Sequence, residues 1–252
     1  MPSPSFKKGT VMKFSYRFIT KWHDTDANRE VRPSQILAYM QETSHHHLIA
    51  SGMSLDELRD SRGLAFILSR IVLRVYAPLY ANQEIDVQTW VCESRGLSFQ
   101  RGFRILRGEE TVAEAFSVWA LLDLNAGKLL PVSEFPYDIE PDPSLGAAFA
   151  GRLRLPPLDA MQQIGERKIV YSDIDYNGHM NNTHYPDMLC DFTPDITACR
   201  ATEFTLSFLR EAPFGATMKI YRAPRPNGGF FFRTVNSLGE TCMEASVCVE
   251  KV

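Results

Sequence analysis

Long apolar runs are missing from this sequence: nothing in it approaches the ~18 consecutive apolar residues that a membrane helix needs. The stretch Met1–Phe14 holds lysines but no apolar h-region, so no secretory signal is expected. Cysteines are few and odd in number (Cys92, Cys190, Cys199, Cys242 and Cys248) and none form a C-x-x-C pair, which argues against a disulfide framework or a zinc site. A reducing, cytoplasmic setting follows as the expectation, with no metal and no cofactor. Excess charge is lacking too. Lys and Arg number 27 against 30 Asp and Glu, a formal net charge of −3 with a pI near 6.1. That balance argues against a protein that grips nucleic acid by its overall charge. The remainder is ordinary: 252 residues, 44% apolar and 23% charged, enough for one large or two small globular domains. Disorder, collagen-like sequence and coiled coil are excluded on composition.

The chain contains itself twice. Asp24-Thr25-Asp26-Ala27-Asn28 matches Asp173-Ile174-Asp175-Tyr176-Asn177, each a D-x-D-x-N after an apolar run. Ala77-Pro78 matches Ala212-Pro213, and Glu110–Ala115 matches Glu240–Ala245. The three matches keep their order with separations of 149, 135 and 130 positions, as two copies with shorter connections in the second would give. Between them six of the fifteen prolines (Pro131, Pro136, Pro141, Pro143, Pro156, Pro157) mark a linker, since proline removes ladder donors and breaks helix interiors. Phe135, Tyr137 and Phe149 give that linker apolar anchors. The expected organisation is an N-terminal domain at 12–130, a linker at 131–164 and a C-terminal domain at 165–252.

Both copies read as a strand, a D-x-D turn, a helix, then long strands. The opening strands are expected at Tyr16–His23 and Lys168–Ser172. Pro33 suits the first turn of a helix whose Ile36, Leu37, Met40, Leu48 and Ile49 recur at helical spacing. Ser54-Leu55-Asp56-Glu57 is a capping box opening a second, short helix. Runs rich in β-branched and aromatic residues follow at Ala65–Ala77, Gln83–Cys92, Leu97–Leu106 and Thr111–Leu124. They return at Ala201–Glu211, Thr217–Tyr221, Phe230–Val235 and Thr241–Val249. Asn125-Ala126-Gly127 and Pro226-Asn227-Gly228-Gly229 are turn chemistry between them. One helix before a run of antiparallel strands is an α+β order. A sheet curved around such a helix is a hotdog, and two tandem units make a double hotdog.

The densest polar constellation runs from Tyr171 to Asn182. Asp175, Asn177 and His179 alternate, so an extended loop projects all three to one side. Gly178 permits a tight bend, and Asn181 or Asn182 suits a helix N-cap whose backbone donors could polarise a carbonyl oxygen. Such a turn could also simply cap a helix. The first copy decides against that reading: it keeps Asp26 and Asn28 but has Glu30 where the second has His179. The second copy also places Glu211 opposite Tyr76, at the end of an apolar run; it reads either as a partly buried carboxylate whose pKa rises toward a general base's range or as an exposed strand-end glutamate paired with Arg210 or another surface cation.

Asp-x-Asn-x-His-x-Asn-Asn-x-x-Tyr, from Asp175 to Tyr185, followed by Arg210-Glu211, resembles the acyl-acyl carrier protein (acyl-ACP) thioesterases of bacteria and plant plastids. The first half is similar too, in Leu37–Thr43, Leu68-Ser69-Arg70, Ala77-Pro78, Thr89-Trp90 and Ala115–Trp119. The resemblance implies a double hotdog that hydrolyses fatty acyl-ACP, with the chain held by the N-terminal unit and catalysis in the C-terminal one. It places the catalytic set on Asp175, Asn177, His179 and Glu211. One departure is informative. Some plant relatives carry cysteine directly after that glutamate; here Ala212 stands there, so no thiolate can attack from that position. Cys190 reads as a small buried hydrophobe. The implied reaction needs water, a base and an oxyanion site: Glu211 and His179 for the water, Asn177 and backbone N–H groups for the carbonyl, with Asp175 ordering the loop or itself acting as base.

An acidic carrier protein as partner calls for a basic patch, for which Arg70, Arg74, Arg101, Arg104 and Arg107 are candidates. His45-His46-His47 lie about 100° apart on a helix and do not converge on one ion; one is expected at the domain interface, the rest toward solvent. Trp22, Trp90 and Trp119 read as core residues that line part of an acyl pocket. Rival readings are an acyl-CoA thioesterase of the same fold, a hotdog hydratase or dehydratase, and a non-catalytic acyl-binding module. The hydratase pattern D-x-N-P-x-H sets its histidine one residue farther from the aspartate than His179 is from Asp175. A monomer suffices, since the two units already pair, and a homodimer is equally compatible.

Overall fold

The structure is a computed structural model that describes residues 13–135, 141–142, 149, 151–226 and 228–251. Tyr137, Pro136, Pro143, Asn227 and the residues before Lys13 lie outside that set. The N-terminal half contains β1 (Lys13–Ile19), α1 (Pro33–Ala50), α2 (Leu55–Arg62), β2 (Leu64–Val75), β3 (Glu84–Arg95), β4 (Ser98–Arg107), β5 (Glu110–Asp123) and the short β6 (Lys128–Leu130). The C-terminal half contains β7 (Gln162–Lys168), α3 (Tyr185–Asp191), β8 (Cys199–Phe208), β9 (Thr217–Pro224), β10 (Phe230–Val235) and β11 (Thr241–Lys251).

All strands among the described residues join one antiparallel sheet in the order β1-β3-β4-β5-β2-β8-β11-β10-β9-β7, with β6 on β5. That order is a palindrome about the β2–β8 seam, each strand of one half mirrored by its counterpart in the other. At the seam Arg70 faces Ser207, Val72 faces Thr205 and Arg74 faces Glu203. Strand alternation sends Leu73, Ile105 and Ala115 of one half, and Phe204, Leu206 and Ala245 of the other, into a common core with Leu37 and Met40 of α1. The core is continuous across the seam, so neither half buries its apolar face alone.

Local chemistry sets the helix ends. Pro33 opens α1 and the Ser54 side chain accepts the Glu57 N–H to cap α2, as the sequence indicates. Gly63, at φ +65°, then turns the chain into β2. The opening strands end earlier than the sequence reading placed them. Trp22–Asp24 and Tyr171–Asp173 are 3₁₀ turns, because Asp24 and Asp173 fold back to accept the N–H groups of Lys21 and Val170. Trp22 is consequently not core: it stands 64% exposed, like its counterpart Tyr171 at 83%. Trp90 is fully buried, and Trp119 packs on the core edge.

The repeat is visible bond by bond. Asp26 N–H donates to the Glu30 carbonyl as Asp175 N–H does to His179, and Arg32 to Asp24 as Asn181 to Asp173. One sequence match is out of step. Val31 N–H bonds the Leu79 carbonyl where Met180 N–H bonds Ala212, and Tyr76 and Ala77 share the Val112 carbonyl where Leu209 and Arg210 share Cys242. Leu79, not Ala77, is therefore the counterpart of Ala212, and Glu211 corresponds to Pro78 rather than Tyr76. Between the halves, Phe135 packs on Phe66 and Phe99, and Phe149 is buried against Phe116 beneath Arg74.

Candidate active site

The segment after β7 folds into a tight hairpin rather than an extended loop. Ile174 pairs with Met180, Asp175 N–H donates to the His179 carbonyl, and Gly178 N–H donates to the Asp175 carbonyl. Gly178 sits at φ +82°, a left-handed conformation that costs glycine nothing. The Asp175 carboxylate accepts the Asn177 N–H at 2.8 Å, an Asx turn that fixes the tip. Asn181 caps the following 3₁₀ turn (Asn182–His184) by accepting from Thr183 N and Oγ1, and α3 continues from it. That cap occupies one of the backbone donors that sequence reading offered to a substrate carbonyl.

The hairpin is pinned to the strand end that carries Glu211. Met180 N–H bonds the Ala212 carbonyl, and His179 bridges to Pro213. Those links bring His179 Nε2 to 3.6 Å from Glu211 Oε1, beyond a formed hydrogen bond and within ion-pair range. Of the two placements open to Glu211 the structure has the exposed one: its side chain is 68% exposed, whereas that of His179 is 22% exposed, and Arg210 pairs with Glu240 instead. The reason is that β8 stops at Phe208, where Leu209 and Arg210 both turn onto the Cys242 carbonyl, so Glu211 stands past the sheet edge.

A cavity of roughly 1370 Å³ opens at this point, lined by Asp175, Asn177, His179 and Glu211 together with α1, α2 and the β2–β5 face. All four sequence-derived site residues meet on its wall. Its apolar lining includes Leu48, Leu64, Phe66, Phe99 and Trp119, all from the N-terminal half. The sequence pattern of the acyl-ACP thioesterase N-terminal domain matches residues 11–138, and that of the C-terminal domain matches residues 159–245. The chain belongs to the acyl-ACP thioesterase family.

Relatives of this thioesterase family include the chloroplastic acyl-[acyl-carrier-protein] hydrolase FATB2 of Cuphea viscosissima, 24% identical over 85% of this chain and 56% of the relative. The chloroplastic palmitoyl-acyl carrier protein thioesterase of Arabidopsis thaliana is 22% identical over 72% of this chain and 47% of its own. The chain thus spans about half the length of these plant relatives. Among solved structures, an acyl-ACP thioesterase from Bacteroides thetaiotaomicron superposes with a TM-score of 0.80 at 21% identity, covering 95% of this chain and 98% of that one. The 12:0-ACP thioesterase of Umbellularia californica gives 0.78 at 16% identity, covering 96% and 98%. These likenesses establish the double hotdog fold.

On this thioesterase scaffold one residue escaped sequence reading. Arg59 of α2 reaches across the cavity mouth, its Nη1 donating to Asn177 Oδ1 at 2.6 Å while its guanidinium sits 5.6 Å from the Tyr176 ring. Nothing in the sequence marks Arg59 apart from other helix-surface cations; only the meeting of two distant segments reveals it. The five arginines proposed for a basic patch are engaged elsewhere. Arg74 pairs with Glu203, Arg104 with Glu114 and Arg107 with Glu110; Arg70 donates to the carbonyls of Phe149 and Gly151, and Arg101 is buried. The histidine triplet also differs from expectation. His47 is fully buried inside the N-terminal half beside Arg101, and His46 stacks on Tyr16 and pairs with Glu42. Cys190 is a buried-type thiol pushed up to about 12 by desolvation, with nearby Asp187 and Asp191 adding to the shift.

Proposed function

We propose that this chain hydrolyses fatty acyl-ACP thioesters to free fatty acid and the carrier thiol, with Asp175, Asn177, His179 and Glu211 as its working residues. The observation that carries this reading is the gathering of His179, Glu211 and Asn177 on the rim of an apolar-walled cavity. The acyl chain enters among Leu48, Leu64, Phe66, Phe99 and Trp119, which sets the thioester carbonyl at the rim. Because Arg59 occupies Asn177 Oδ1, the amide presents its Nδ2 hydrogens to the carbonyl oxygen and stabilises the oxyanion. His179 and Glu211 hold a water between them. As its oxygen bonds the carbonyl carbon, its proton passes to this pair; the C–S bond then breaks and the proton returns to the leaving thiolate. Asp175 keeps the hairpin tip closed through the Asn177 N–H.

Ala212 carries no nucleophile, so a water-mediated route is the one these residues support. No helix among the described residues is long and apolar enough to cross a membrane. The free cysteines fit a reducing compartment, and we place the reaction in the cytoplasm. The test is thiol release from a panel of acyl-ACP and acyl-CoA thioesters by wild type and His179→Ala. Carrier-linked chains are expected to turn over with the higher kcat/KM, and the variant to lose about 10²–10⁴-fold. Unchanged hydrolysis by His179→Ala would overturn the assignment. Faster turnover of the CoA esters would move the substrate to the acyl-CoA class.

A further inference from the structure

One wall of the cavity carries a group that a plain hydrocarbon chain has no use for. Arg101 of β4 lines the cavity and is only 7% exposed. Its Nη1 lies 3.0 Å from His47 Nδ1 and 3.1 Å from Thr89 Oγ1. The Nε and Nη2 donors have no hydrogen-bond partner among the described residues. Arg104 and Arg107 of the same strand each pair with a glutamate, but the cross-strand neighbours of Arg101 are Val91 and Ser117, neither of them charged. Burial lowers its pKa to about 10, and the Cys92 thiol opposes that shift. A guanidinium is a donor without acceptor capacity, and the free Nε and Nη2 are not among the sealed, unpartnered polar atoms of the described residues, so they open onto the cavity. Gln41 and Ser44 of α1, one turn apart, face the same cavity.

We propose that Arg101 forms a polar subsite for a hydrogen-bond-accepting oxygen carried on the acyl chain, making oxygenated acyl thioesters the preferred substrates. This deepens the hydrolase reading above and rests on the cavity being the acyl site. The accepting oxygen can belong to an oxo, hydroxyl or terminal carboxylate group, and the test separates these. Binding of free fatty acids of one chain length is measured by calorimetry, with the oxygen placed at successive carbons and an unsubstituted acid as reference. Wild type is expected to bind at least one oxygenated acid about tenfold or more tighter, the scale of one charge-assisted hydrogen bond. Arg101→Gln is expected to erase that ratio and Arg101→Lys to keep part of it. Equal wild-type affinity for all acids overturns the subsite without recourse to any variant, so a misfolded Arg101→Gln leaves the test intact. Thioesters of the same acids give the second readout. Hydrolysis with no preference for oxygenated chains rejects the subsite alone; selective binding without hydrolysis rejects the hydrolase reading alone.

Discussion

Glu211 and Pro78 occupy equivalent places in the two halves, and His179 answers to Glu30, so the halves differ by one residue on the shared hairpin and one on the strand end beside it. Asp175, Asn177 and His179 were legible because their spacing survives any register error; the exposure of Glu211 was not, because it depends on which carbonyl ends β8. This geometry ranks the carboxylates. Glu211→Gln is expected to lower kcat by about 10²–10⁴-fold with little change in KM. Asp175→Asn, which retains an acceptor for the Asn177 N–H, is expected to cost less than Glu211→Gln. The reverse ranking in steady-state kinetics would make Asp175 the base. The thiols give a second expectation. Burial pushes Cys92 up to about 11, Cys190 to about 12, and Cys242 upward as well. The folded state thus holds these protons where the unfolded chain releases them, and stability falls as pH rises through about 9. Melting temperatures from pH 7.5 to 10 should decline, less steeply for Cys190→Ala; a flat profile in wild type would contradict the burial argument.

Among the elements, α1 and α2 were readable to the residue at their N-termini because Pro33 and Ser54 act locally, within one turn. What α2 is for was not readable, since Arg59 meets Asn177 across 118 positions of sequence. The helix is short, and its inner side is held by Leu58 in a small cluster with Leu48, Met53 and Leu64. Its cap therefore matters: Ser54→Ala is expected to cost about 1 kcal/mol and to speed amide exchange in α2 before other segments. On the proposed reading Arg59 acts through Asn177, as a positioning residue. Arg59→Ala is expected to lower kcat about tenfold with KM nearly unchanged, as loss of a charge-assisted hydrogen bond needed in the transition state predicts. In the Asn177→Ala background the same change should do little, because its partner is gone. Additive losses in that cycle would show Arg59 working independently of Asn177.

At the scale of the whole molecule, duplication was legible from three short matches, but the β2–β8 seam that joins the copies was not. Two edge strands with similar burial patterns carry no mark of which neighbour each will choose. The seam has a polar rim. Glu30, 8% exposed at the hairpin position that holds His179 in the other half, pairs with Arg200 of β8 at 2.9 Å. Arg200 also reaches Glu250, and Ser34 of α1 donates to Asp187 of α3 nearby. Burial already holds the Glu30 carboxyl above its ordinary pKa despite the opposing pull of Arg200. Arg200→Met removes that pull and leaves a buried carboxylate unpaired, a loss of about 3–5 kcal/mol at pH 8. Because the folded state then binds the Glu30 proton more tightly than the unfolded chain does, stability should recover as pH falls toward 5. Glu30→Gln in the same background should recover stability at pH 8 and remove the pH dependence, since no charge is left to desolvate. Urea melts of wild type and both variants at pH 5 and pH 8 measure this. An Arg200→Met loss equal at the two pH values would mean that Glu30 finds another partner, and that the pair is not what closes the seam.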